Sequence, residues 1–412
     1  MRNIFLALML IISYCAYAKN SIIHSQRIKT VQAIVNNDWL SPPIMVLKSN
    51  DILRISFDEL SHDYHSFKYH IQHCGTDWSE SDDLFESDYL EGFNDNAIEN
   101  YQNSINTTIL YTHYKFEIPN DKCRLKLSGN YKLTIYDEDN NNEIMFETMF
   151  MVVDPQMSVE LKATTNTDID INESHQQLSI YLNYNKLPVT NHEEQIFTVI
   201  TQNNNQHTKV ISPEPNIITG KGLIWDHNKN LIFNAGNEYH KYEILALSHP
   251  TMGIDQIKWD GTHYQAYPFV NEPRNHYLYD EDVNGYFYIR NSDNIDNDFT
   301  CDYVFVNYKL KSPQIENGDI YVDGEWASDK DRNCYAMRYN NNEKCYEAVI
   351  MHKQGYYSYQ YLQQLSDGTI TNPETEGSFY QTENRYQVYI YYRPTSARGW
   401  QLVCYRQLIF NP

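Results

Sequence analysis

The run Ile52-Leu53-Arg54-Ile55-Ser56-Phe57 alternates apolar and polar side chains at period two. Lys68-Tyr69-His70-Ile71-Gln72-His73-Cys74 repeats the pattern after a short break. Successive side chains of a strand point to opposite faces, so each run offers one apolar face to a core. Outward from this pair the chain crosses a connection rich in acids and aromatics, from Asp77-Trp78 to Glu91-Gly92-Phe93-Asn94-Asp95. Thr112-His113-Tyr114-Lys115-Phe116-Glu117-Ile118 then resumes the alternation. Residues 131–136 and 144–153 read as a hairpin around an acidic loop, entered through a tight Ser128-Gly129-Asn130 turn. Short strands, turn residues and period two predict a β-sandwich.

The 412 residues allow two to four such units. Tyrosine, with 36 copies, suits half-buried strands, because its ring packs inward while its hydroxyl reaches water. Thirty-two Lys and Arg stand against 54 Asp and Glu, a formal charge of -22. Such a surface repels phosphate backbones and anionic lipid, which argues against nucleic-acid and peripheral membrane binding. Met1-Arg2-Asn3, an apolar run to Cys15 and Ala16-Tyr17-Ala18 have the layout of a secretory signal peptide over residues 1–18. Tyr14 before Cys15 disfavours a lipoprotein signal, and no later run is apolar enough to span a bilayer.

The sequence divides into a lead-in and first sandwich over 19–154, a central sandwich over 155–311 and a C-terminal sandwich over 312–412. The breaks fall at Asp154-Pro155 and Ser312-Pro313. Alternating runs at 178–184, 196–202, 239–245, 286–290 and 302–310 belong to the central unit on this reading. Runs at 319–323, 335–339, 345–351, 356–362, 386–392 and 402–405 belong to the last. Residues 259–274 read as an irregular aromatic loop, and 79–89 as room for one short helical turn. Of the six cysteines after residue 18, Cys334 and Cys345 flank a strand and an Asn-rich turn and are the pair expected to form a disulfide.

No residue set promises catalysis. Asp77, Glu80, Asp82, Asp83, Glu86 and Asp88 crowd one connection, whereas a glycosidase needs two acids at fixed separation. The expected reading is a solvated acidic face on which Trp78, Phe85, Tyr89 and Phe93 contact a partner. Asp280-Glu281-Asp282-Val283-Asn284-Gly285 matches half a calcium loop, but Asn291 occupies the twelfth position and a strand follows. His70 and His73 fall on opposite faces of one strand. Catalytic, cofactor-binding and metal-binding residues are therefore expected to be none, and the chain is not expected to be an enzyme.

A set of ordered motifs adds to this. Phe57-Asp58-Glu59-Leu60 precedes Tyr69-x-Ile71-x-His73-Cys74-x-x-Asp77-Trp78, then Tyr89-Leu90-x-Gly92-Phe93-Asn94-x-Asn96. Tyr111-Thr112-His113-Tyr114, Leu127-Ser128-Gly129-Asn130-Tyr131 and Phe150-Met151-Val152-Val153 follow. Further along stand Tyr279-Asp280-Glu281-Asp282-x-Asn284-Gly285 and Lys353-Gln354-Gly355-Tyr356-Tyr357-Ser358-Tyr359. The chain resembles the plug proteins of the type IX secretion system of Bacteroidota along essentially its whole length. Departures are Asp323-Gly324-Glu325-Trp326, where a more apolar turn is expected, and Met351 in place of Leu. The resemblance implies tandem immunoglobulin-like sandwiches and no cofactor. It implies a periplasmic protein on the inner side of the outer membrane. Its partner would be the giant outer-membrane β-barrel translocon, whose periplasmic opening it closes. The last unit also resembles sandwiches that bind starch or glycogen, with Tyr321, Trp326 and Tyr339 as sugar platforms. The alternative function is a carbohydrate-binding periplasmic or surface protein using Trp78, Trp225, Trp259, Trp326 and Trp400.

Overall fold

The structure, a computed structural model, describes residues 20–412. The expected signal peptide lies outside these residues. The chain is predominantly β-strand, arranged in paired sheets around three large apolar cores, so that the units are sandwich-like. Among the described residues no helix is long and apolar enough to cross a membrane.

In the first unit, one sheet orders the strands Ile28–Val35, Leu53–Glu59, Thr112–Ile118 and Tyr101–Asn103. The facing sheet runs Ser21–Ile23, Glu143–Val153, Gly129–Asp137, Phe67–Cys74 and Asn96–Ala97. Leu53, Ile55 and Phe57 of one sheet meet Tyr69, Ile71, Leu133 and Phe146 of the other, as period two requires. The strand Glu143–Val153 departs from that period and is buried on both faces from Phe146 to Val153, apart from Glu147. Its outer residues Met151 and Val153 pack against Tyr389, Tyr391 and Leu402. A strand covered on both sides reads as a continuous apolar run.

The second core joins Leu161, Leu178, Ile180, Trp225 and Phe233 to Ile196, Ile200, Tyr386, Val388, Ile390 and Val403. One of its sheets orders Asn205–Ile211, Ile196–Gln202, Asn384–Tyr392 and Gln401–Phe410. The third core is built from residues 242–361. The strand His240–Ile244 pairs with Gly355–Gln364 in register Tyr242↔Tyr357, and Tyr303–Lys311 pairs with Cys345–Lys353.

This corrects the expected units 155–311 and 312–412. The central sandwich is discontinuous, and the third unit is inserted between its strands Ile232–Asn234 and Asn384–Tyr392. Alternation reveals that a segment is a strand but not which strand lies beside it, so the return of the C-terminal hairpin leaves no local mark. Ser312-Pro313 lies in the connection between the strands Tyr303–Lys311 and Asp319–Asp323, inside the third unit. The expected loop at 259–274 contains a strand: Ile254–Trp259 and Tyr264–Pro268 form a hairpin around Asp260-Gly261-Thr262.

Where the insertion begins and ends, its two linkers are tied together. The Asn384 side chain donates to the Ala235 carbonyl at 2.8 Å and to Gln176 Oε1 at 3.1 Å. Gln176 is wholly buried; it donates to the carbonyls of Tyr380 and Thr382, both at 2.8 Å, and accepts from the Tyr386 hydroxyl at 2.7 Å.

Candidate functional site

The acidic connection of the first unit folds as a single helical turn, Glu86–Tyr89, between exposed loops. Phe85 precedes it, and Asp88 Oδ2 accepts from the Phe85 amide at 3.0 Å, holding the turn closed. The four expected contact residues separate. Phe85 and Phe93 are 69% and 77% exposed. Tyr89 is buried in the first core. Trp78 is half-buried against the Met151–Tyr391–Leu402 cluster, with a left-handed backbone (φ 67°), and so helps join the first and second units. Asp82, Asp83, Glu86, Asp88, Glu91 and Asp95 flank the two exposed rings along the chain, all exposed. The Arg398 guanidinium, from the C-terminal hairpin, lies 5.8 Å from the Phe85 ring.

The Gly92-Phe93-Asn94 motif has a mechanical reading. The Asn94 side chain accepts from the Ile71 amide at 2.8 Å and donates to the Ile71 carbonyl at 2.9 Å, so it caps the edge of Phe67–Cys74 as a missing strand would. Gly92 has φ +102°, and a Cβ there would sit 2.1 Å from the Lys122 carbonyl oxygen. Close approach and left-handed backbone together demand glycine and set the loop that projects Phe93. Gly92→Ala should cost about 3 kcal/mol in a urea titration. Gly220→Ala, where nothing stands within 4 Å of the new methyl, should leave the midpoint almost unchanged.

The strongest polar arrangement lies where the first unit meets the third. Asp58, fully buried, accepts from Lys353 Nζ at 2.6 Å, from the Tyr303 hydroxyl at 2.6 Å and from His113 Nδ1 at 2.7 Å. Lys353 Nζ also donates to the Asp298 carbonyl at 2.6 Å and stands 4.2 Å from the centre of the Tyr111 ring. Burial pushes the Asp58 carboxyl up, but the Lys353 charge and the His113 hydrogen bond outweigh it, leaving its pKa below the ordinary value. Asp302 fixes the same seam by accepting from the amides of Thr108 and Ile109. Sequence reasoning did not single out this network. Asp58, Tyr111, His113 and Lys353 nevertheless all stand in the ordered motifs, and Asp58 and His113 face each other across two neighbouring strands.

Other candidates resolve into local structure. Asp280 pairs with Lys241 at 2.6 Å, and Asp282 accepts from the amides of Tyr239 and Asn284. These two amide hydrogen bonds make this half of a calcium loop a half-buried turn anchor, and desolvation raises the Asp282 carboxyl to about 7. Two groups bring ligand atoms within 4.8 Å of one another: His65, Asp137 and Asp139, and Glu343, Cys345 and Glu347. Asp137 is already paired with Arg27 at 2.8 Å, and Lys309 pairs with both Glu343 and Glu347. The expected Cys334–Cys345 bridge is corrected: both are free thiols. Cys345 is buried on a central strand beside Glu347, while Cys334 sits exposed on the 3-10 turn Arg332–Tyr335. Trp225 and Trp326 are core residues and Trp400 is half-buried under Arg393, leaving Trp259 as an exposed ring at 50%. Tyr321 and Tyr339 pack on the third core.

Fold and site together define a predominantly β-strand protein of three sandwich-like units, joined by an apolar seam and buried polar networks, with two exposed phenylalanines in the acidic connection of its first unit. Residues 28–154 match the family model described as type 9 secretion system plug protein 1st domain. The crystal structure of a hypothetical protein from Parabacteroides merdae is similar over 95% of this chain and 99% of that one, with 34% identity and a TM-score of 0.91. The chain belongs to the type 9 secretion system plug protein family. No curated protein matches it.

Proposed function

We propose that this protein is a non-enzymatic periplasmic plug, which binds the giant outer-membrane β-barrel translocon of the type IX system and closes its periplasmic opening. The observation that carries the reading is the family match over the first unit, the unit that also holds the acidic aromatic face. A plug gains from stiffness, because every residue ordered on docking would oppose binding. Three units locked by Asp58–Lys353, by Gln176 and by the Trp78 seam form such a body. Phe85 and Phe93 are the apolar anchors on this view, and the acids around them select a basic rim. The units are read as immunoglobulin-like, and export through residues 1–18 delivers the chain to the inner side of the outer membrane.

The test is complementation of a deletion strain shown to assemble the barrel. Loss of the gene should let small solutes cross the outer membrane, and the wild-type gene should reseal it. A Phe85→Ser/Phe93→Ser protein should fold with stability within about 0.5 kcal/mol of wild type, since both rings are exposed, yet fail to co-purify with the barrel. Unchanged permeability in the deletion strain would refute the plug. Full co-purification of the double variant would refute the assigned face.

A further inference from the structure

Residues 269–286 connect the strands Tyr264–Pro268 and Phe287–Ile289 of the third unit and contain no helix or strand element. A connection this long inside a compact unit is uncommon, and where it is ordered it is usually functional. This one is pinned along its length. Near its start, Asn271 Oδ1 accepts from the hydroxyls of Tyr359 at 2.8 Å and Tyr361 at 2.6 Å, which roots it on the third core. Arg274 then spans the two linkers that carry the inserted unit. Its guanidinium donates to the Glu238 carbonyl on one linker and pairs with Glu376 on the other, and its amide donates to the Thr375 carbonyl at 2.8 Å. The Tyr277 hydroxyl donates to Glu238 Oε1 at 2.7 Å, and its ring centre lies 6.2 Å from that of Phe379. Asp282 closes the far side by accepting from the Tyr239 amide.

Between the anchors Tyr277 and Asp282 the chain turns two large apolar side chains to solvent. Leu278 is 81% exposed, more than Phe85 or Phe93, and Tyr279 is 58% exposed. Single apolar residues scattered over a surface need no explanation, but two adjacent ones at the tip of a pinned loop do. A loop that only had to cross the linkers could carry polar residues at 278 and 279 and keep every bond that holds it. An apolar pair presented this rigidly loses little freedom on docking, which is the property of an interface anchor. Of the acids that follow, Asp280 is paired with Lys241, whereas Glu281 is exposed and pairs with no cation among the described residues.

We infer that Leu278 and Tyr279 are a second docking anchor, which enters an apolar pocket with a basic residue at its rim on the translocon. The choice of partner rests on the plug reading. Glu281 beside the tip, on a chain of net charge -22, is the charge that such a basic residue meets. The two anchors stand on different units: Phe85 and Phe93 on the first, Leu278 and Tyr279 on the third, above its linkers to the second. Two anchors on one stiff body bind more tightly together than either does alone, and they fix the orientation of the body as one cannot.

Tagged wild-type and variant proteins, titrated into detergent-solubilised outer membranes of the deletion strain, test this by the amount of barrel recovered. Leu278→Ser/Tyr279→Ser should weaken recovery about tenfold and keep the thermal midpoint of the wild type, since both side chains are exposed. Tyr277→Phe keeps the tip but removes its bond to Glu238. It should raise amide exchange over residues 277–283 about tenfold and weaken recovery about threefold, because the anchor is then less ordered before docking. A wild type that recovers no barrel refutes the plug reading and this anchor with it. A wild type that recovers the barrel, with the Leu278→Ser/Tyr279→Ser protein recovering as much, overturns the anchor alone. So does a tip variant that loses only a self-associated form of the protein in size-exclusion chromatography, which would assign the tip to a second copy of this chain.

Discussion

Replacing Asp58 with Ala should destabilise the protein by about 3–5 kcal/mol, read as a fall in the urea midpoint at pH 7. The residue is fully buried and accepts three hydrogen bonds, from Lys353, Tyr303 and His113. Removing it leaves the Lys353 ammonium 1% exposed with no carboxylate beside it. The loss exceeds the net worth of the pair, because most of it is the cost of a buried charge without its counter-ion. For the same reason Asp58→Leu combined with Lys353→Met should recover much of what either single variant loses. If the two single effects simply add, the pair is not acting as a unit.

The same site has a pH signature with a definite sign. The carboxyl of Asp58 is held below its ordinary value in the folded protein. Its contribution is therefore fully present above the unfolded value of about 3.9 and is lost as pH falls through the lower folded value. The stability gap between wild type and Asp58→Ala should be constant from pH 5 to 7 and narrow towards pH 3. A gap that widened on acidification would show that Asp58 is not the charged partner of Lys353.

These effects were only partly legible in the sequence. The first sandwich was readable because its strands alternate cleanly and hairpins join several of them, as Gly129–Asp137 and Glu143–Val153 show. Phe85 and Phe93 were readable as open rings because they stand among acids in a non-alternating connection, a place where large apolar residues are not core. Tyr89 stands in the same connection, yet the helical turn rotates it inward, and spacing within a loop does not reveal that. Asp58, Tyr111, Tyr303 and Lys353 lie far apart in the chain and converge only when two finished units dock. No local pattern records such a contact. The Cys334–Cys345 expectation failed for a related reason: two cysteines flanking one strand and turn are near in sequence, but Cys345 sits beside Glu343 and Glu347 on the strand face opposite the core residues Tyr346 and Ala348, while Cys334 stands exposed on the separate turn Arg332–Tyr335.

The largest test of the interleaved architecture is truncation. A chain ended at Glu383 should lose its central sandwich and keep its third unit. The removed strands Asn384–Tyr392 and Gln401–Phe410 contribute Tyr386, Val388, Ile390, Tyr392, Val403 and Cys404 to the central core. Without them the four-stranded sheet shrinks to the hairpin of Ile196–Gln202 and Asn205–Ile211, and an isolated hairpin is at best marginally stable in water. Gln176 also loses its Asn384 and Tyr386 partners. The third core draws no residue from beyond Tyr361, so its sheets remain whole. Limited trypsin digestion followed by mass spectrometry should show new cleavages at Lys162, Lys186, Lys209, Lys221 and Lys229, with Lys309 and Lys353 still protected. Had the sandwiches been laid out consecutively, the same deletion would instead expose the unit after residue 312 and spare the central one. Protection of residues 157–233 in the truncated chain would therefore overturn the strand order described here, and with it the account of how the linkers are locked.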